Sequence, residues 1–152
     1  MSADAPAVSE AQQVVGFDGS APAVRALDAA VRLLTVRPGR IRVVWVAHLA
    51  SMVELSADAV AIVESDFDKV AEEFRTAAAE HLGDSGVSWD FAWRQGLIAP
   101  ELIKAAESIQ ADSPDDVVAI VVGSSSSPMH RVVGSVAVNL ARHAPVPVII
   151  VP

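Results

Sequence analysis

Cysteine is absent from this 152-residue chain, so neither a disulfide framework nor thiol chemistry is open to it. Aromatic residues make up only 5%, while hydrophobic residues reach 52%, so the core must be built mainly from Val, Ala, Leu and Ile. No apolar run approaches the roughly 20 residues that a bilayer span needs. The first residues also lack the basic start and apolar block of a signal peptide. These two absences predict a cytoplasmic protein with no membrane partner. Positive charge is scarce: 11 Lys and Arg stand against 19 Asp and Glu, giving a net charge of −8. A pI near 4.8 argues against nucleic acid as a partner.

Familiar catalytic and metal-binding patterns are missing as well. His48, His81 and His143 are scattered without metal-ligand spacing. No nucleophile elbow with a Ser-His-Asp order is visible. Glu54, Glu64, Glu72, Glu73 and Glu80 fall in one long helical stretch, where they would form its solvated face. One further absence is local. After Asp115 and Asp116 the chain carries no carboxylate side chain, yet it carries His130, Arg131, Arg142 and His143. A locally cationic patch in an anionic molecule suits a small anion.

What is present is an alternation of apolar runs with periodic segments. Residues 1–11 are small, polar and aperiodic, and are expected to form a disordered tail before a single domain over 12–152. Val14-Val15 lead into Gly16-Phe17-Asp18-Gly19-Ser20, a buried strand ending in a turn. Ser20 suits a helix N-cap, and Pro22 is tolerated in the first turn. Val24, Leu27, Val31 and Leu34 mark one helical face. A second strand is expected over Ile41 to Leu49, and a long helix from about Ser56 to Leu82, with Val63, Phe67, Val70 and Phe74 on one stripe. Val87, Trp89, Phe91 and Trp93 alternate with polar or small residues, as on an edge strand. Pro100 can open a third helix, with Leu102, Ile103, Ala106 and Ile109 inward. An exposed acidic turn at Asp112 to Asp116 leads into a fourth strand over Val117 to Val122. A fourth helix follows over about Ser135 to Arg142, and a fifth strand over Val146 to Val151.

This β-α repetition predicts a doubly wound α/β fold, a five-stranded parallel sheet covered by helices on both faces. Right-handed crossovers that wind outward from the first strand and then reverse give the order 3-2-1-4-5. Strands one and four are then neighbours at the switch point, where ligands bind beyond the carboxyl ends. The turns at Gly16-Phe17-Asp18 and Gly123-Ser124 would lie side by side there. Asp18 could accept a hydrogen bond from a ribose hydroxyl or a base amine, or could simply close an Asp-Gly turn. Gly123, the hydroxyls of Ser124 to Ser127 and the helix start after Gly134 could cradle a phosphate, or form an ordinary capped loop. Arg131 could pair with that phosphate or remain a solvated cation.

These residues converge on a resemblance. VVGFDGS at Val14 to Ser20, VVGSSSS at Val121 to Ser127, and GSVAVNLARHAPVPVIIVP from Gly134 to Pro152 resemble the universal stress protein family. The family's Gly-x2-Gly-x9-Gly-(Ser/Thr) signature is met by Gly123 and by Gly134-Ser135. Ser126 replaces the second glycine, and the loop is two residues short. The resemblance implies an adenine nucleotide, ATP or AMP, in the switch-point crevice, with Mg accompanying ATP. It places Asp18 against the adenosine with Gly16 and Phe17 beside it, and Val46 reading adenine through its backbone. Val122, Gly123, Ser126, Gly134, Ser135 and Val136 would surround the ribose and phosphates. The serine-rich short loop points to AMP or another anion as an alternative to ATP. The resemblance implies a stress-adaptation protein, and the apolar closing strand, Val146 to Val151, at an uncovered sheet edge predicts a homodimer. The same fold could instead work without nucleotide, as a dimeric interaction module. A slow ATPase or nucleotidyl transferase ranks last, because no base, metal-ligand set or HIGH-type motif is visible.

Overall fold

The computed structural model of the chain describes residues 9–48, 57–124 and 134–152. Five strands alternate with four helices: β1 (Ala11–Gly16), α1 (Ala21–Leu33), β2 (Gly39–Ala47), α2 (Ala57–Leu82), β3 (Ser88–Gln95), α3 (Ile98–Asp112), β4 (Val117–Gly123), α4 (Ser135–His143) and β5 (Val148–Val151). All strand pairs are parallel, in the order β3-β2-β1-β4-β5. The expected doubly wound architecture and strand order are therefore present. The expected disordered tail falls mostly on residues 1–8, which lie outside the described ones, and β1 already begins at Ala11.

Each face of the sheet has its own core. Val14, Ile120 and Val122 meet Leu102, Ala106 and Leu140 of α3 and α4 on one side. Val15, Ile41, Val43 and Val121 meet α1 and α2 on the other, through Ala26, Leu27, Ala30, Ala71 and Ala78. Burial on both faces explains why β4, and Val14-Val15 of β1, read as apolar runs.

Two details depart from the periodicity reading. The buried face of α1 is Ala23, Ala26, Leu27 and Ala30, while Val24 and Val31 pack at its margin. The cause is a close approach at the end of β4: a Cβ built on Gly123 would lie 2.4 Å from the Pro22 carbonyl oxygen. So close an approach favours small side chains at the contact, and Ala23, Ala26 and Ala30 supply them around the larger Leu27. The second departure is α3, which starts at Ile98, ahead of Pro100. Proline fits there because first-turn N–H groups have no partner inside the helix.

The amino end of the sheet is closed by polar side chains. Arg42 and Asp90 are register partners on β2 and β3, and the guanidinium donates to both carboxylate oxygens at 2.9 and 3.1 Å. That pairing holds the Arg42 pKa above its usual value. Asp116 accepts from the Glu10 amide and from Gln12 Nε2, each at 2.9 Å. The Gln12 hydrogen bond, and then that of Glu10, hold its carboxyl below the usual range. Asp116 is thus an anchor for the start of β1 as well as part of an exposed acidic turn.

Candidate functional site

The carboxyl ends of β1, β2 and β4 open into a crevice of about 310 Å³, lined from six elements and their turns. Gly16, Phe17 and Asp18 contribute from the β1–α1 turn, and Val46 from β2. Val122, Gly123 and Ser124 contribute from β4, and Gly134, Ser135 and Val136 from the start of α4. The structure thus brings together ten of the residues expected from sequence. Ser126 and Arg131 lie outside the described residues, as do His130 and the serines at 125 and 127.

The turn after β1 is organised by its own side chains. Asp18 Oδ1 accepts from the Ser20 amide at 3.0 Å, and Ser20 Oγ accepts from the Ala23 amide at 3.3 Å, capping α1. Gly19 has φ +77°, a conformation that glycine adopts without steric cost. The turn role uses only part of the Asp18 carboxylate. Oδ1 is engaged, while Oδ2 has no partner among the described residues. Asp18 is exposed, and among the described lining residues it is the single charged one.

Val46 gains its opportunity from a difference in strand length. Backbone groups along a strand point alternately to its two neighbours. The Val44 carbonyl points toward β1, where it accepts from the Phe17 amide at 2.9 Å, and the Ala47 carbonyl points toward β3, where it accepts from Gly96. Val46 therefore aims its N–H and C=O to the β1 side, two residues past the last register pair, Gly16 with Val44. No described residue fills that edge. It is a donor and an acceptor side by side, the pattern that an adenine edge can complement.

Across the crevice, α4 begins at Gly134, whose cap position has no side chain to accept from the first turn. The amides of Ser135, Val136 and Ala137 precede the first intrahelical bond, which runs from Val138 to the Gly134 carbonyl at 3.1 Å. Free N–H groups with the positive end of the helix dipole form an anion-binding element. Two of the expected residues are partly committed elsewhere. The Ser124 amide donates to the Val151 carbonyl at 2.8 Å, and the Phe17 side chain is buried in the α1–α2 core. Gly123 lines the crevice and is also demanded by the approach of Pro22, so its lack of a side chain has a packing reason of its own.

Sequence reasoning missed Trp45, Val44, Ser20, Pro22, Ala23, Ala137, Ile98 and Leu102, all of which line the crevice. Trp45 could have been found as the neighbour of Val46. Ile98 and Leu102 enter because α3 is drawn over the sheet end by Glu101. That carboxylate, with 11% of its side chain exposed, meets Arg94 of β3 at 2.7 Å and Lys104 at 3.0 Å. The Arg94 hydrogen bond holds the Glu101 pKa below the ordinary value. Among the described residues no three His, Cys, Asp or Glu side chains converge as metal ligands.

The sequence model of the universal stress protein family matches residues 13–152. The chain belongs to that family. Solved structures agree on the fold. The universal stress protein UspA from Lactobacillus plantarum is 19% identical, with a TM-score of 0.71 over 95% of this chain and 99% of that one. A universal stress protein in complex with cAMP is 23% identical, with a TM-score of 0.64 over 95% and 98%. One from Archaeoglobus fulgidus in complex with dAMP is 20% identical, with a TM-score of 0.58 over 95% and 98%. No curated protein sequence matches the chain significantly.

Proposed function

We propose that this chain is a small stress-adaptation protein that binds an adenine nucleotide, ATP or AMP, in the switch-point crevice. The observation that carries the reading is the pairing of two unfilled backbone elements across one cavity: the free edge at Val46 and the uncapped first turn of α4. The Val46 edge takes the adenine. Asp18 accepts from a ribose hydroxyl through Oδ2. The amides and hydroxyl at Ser135 and Val136 hold phosphate oxygens, with Gly123 and Ser124 flooring the site. Ser126 and Arg131 join this proposal by sequence position alone. Named cAMP and dAMP complexes among structural relatives support an adenine mononucleotide as the ligand class. Each hydrogen bond to a charged phosphate contributes about 1.5–3 kcal/mol, enough for binding without a cluster of cations.

The domain is proposed to span residues 12–152. No helix among the described residues is long and apolar enough to cross a membrane, in keeping with a cytoplasmic site of action. A second reading, a dimeric interaction module with or without ligand, is favoured by β5. That strand pairs with β4 on one side only, and its four apolar residues are half-buried. A bare apolar edge invites a second copy, giving the homodimer through Val146 to Val151. Calorimetric titration of nucleotide-stripped protein with ATP and with AMP tests the first reading. Saturable binding weakened by Asp18→Ala and by Gly134→Val is expected. Heat-free titration at millimolar nucleotide would leave the interaction module as the better account.

A further inference from the structure

Phe74 lies on α2 and is not among the residues that line the crevice, yet it touches three that shape it. The backbone of Gly19 rests on its ring: a Cβ at Gly19 would come within 3.0 Å of Phe74 Cε1. Phe17 meets the same ring edge-to-face, with centroids 6.3 Å apart and planes at 87°. Trp45 lies against it at 5.0 Å. Phe17 and Gly19 bracket Asp18, and Trp45 precedes Val46. One ring therefore backs both the carboxylate turn and the free strand edge. Phe67 and Trp93 in turn close on Trp45, at 6.1 and 6.0 Å, so the ring is held within an aromatic layer.

The turn needs such backing. Backbone hydrogen bonds hold its ends at Phe17 and Ser20, its middle is restrained by two side-chain hydrogen bonds at 3.0 and 3.3 Å, and both Asp18 and Gly19 are exposed. The direction of Asp18 Oδ2 then depends on what Gly19 leans against. A flat, stiff ring fills the space below a left-handed glycine in one way, whereas a flexible aliphatic chain fills it in several.

We propose that Phe74 is a positioning residue for the crevice, fixing the Asp18 turn and the Trp45–Val46 edge so that α2 sets ligand affinity without touching the ligand. The consequence for affinity rests on the nucleotide reading above, while the effect on the turn does not. Phe74→Leu tests it, with Phe91→Leu as control, because Phe91 is buried on the same face of the sheet and is absent from the crevice lining. Phe74→Met serves if the leucine variant does not fold. In ligand-free protein, the amides of Ser20 and Ala23 should exchange about tenfold faster or more in Phe74→Leu, local opening being easier there. The amides of Val14 and Ile120 should not change, and Phe91→Leu should leave Ser20 and Ala23 as in the wild type. AMP affinity should fall about five- to tenfold in Phe74→Leu alone, as expected when pre-organisation is lost. Unchanged exchange at Ser20 and Ala23 overturns the proposal whether or not nucleotide binds. Faster exchange in a protein whose wild type binds no AMP upholds the positioning role and removes the nucleotide reading instead.

Discussion

At the amino end of the sheet, Arg42 gives two donors to Asp90, and Asp116 takes two from the start of β1. At the carboxyl end, the Val46 edge, the first amides of α4 and Asp18 Oδ2 meet no described partner. Both ends are polar, and both are bordered by a depression. They differ in what is left over. The amino end pairs Arg42 with Asp90 and ties Asp116 to the start of β1, leaving Gln13 Oε1 as its buried unpartnered atom among the described residues, whereas the carboxyl end keeps several donors and acceptors open to one crevice. Polarity alone does not mark a site; unspent hydrogen-bonding capacity does.

The largest expected effect tests whether the carboxyl end is as closely built as the Gly123 contact implies. Gly123→Val would drive a side chain into the Pro22 carbonyl, and should cost about 3 kcal/mol or more by overpacking. The urea midpoint measures this, and a variant as stable as the wild type would break the account of why α1 turns alanines to the sheet. Next comes Glu101, which pulls α3 over the crevice. Its folded pKa lies below the ordinary 4.5, so its contribution is present above the unfolded value and is lost as pH falls through the folded one. Glu101→Gln should therefore be less stable than the wild type at pH 7 by on the order of 1 kcal/mol, and the gap should close below about pH 4.5. Chemical denaturation at several pH values reads both. Smallest is Arg42→Ala, at the amino end. Because both partners are more than one-third exposed, the loss should stay near 0.5–1 kcal/mol, with AMP affinity unchanged. A weakened affinity there would blur the contrast between the two ends.

Much of this was legible from the chain alone. Val117 to Val122 and Val14-Val15 read as buried strands because they are apolar on both faces, and crossover handedness then set the strand order. Ser20 and Gly134 announced two helix starts. The rest depended on contacts between segments far apart in sequence. The depth of α1 is fixed by Pro22 against Gly123, about a hundred residues away, so a periodicity that weights large side chains picked Val24 and Val31 over alanines. The packing demand on Gly123 was hidden for the same reason. Phe74 read as one more core position, since nothing local says that its ring supports Gly19. The free edge of Val46 follows from β1 ending earlier than β2, a register fact that no single segment contains.

The most direct test of the central claim is a backbone amide NMR titration of the stripped protein with AMP. Saturable shifts at Val46, Ser135 and Val136, with Arg42 and Asp90 unmoved, are the predicted result. No shift at millimolar AMP, or shifts confined to the amino end, would contradict it.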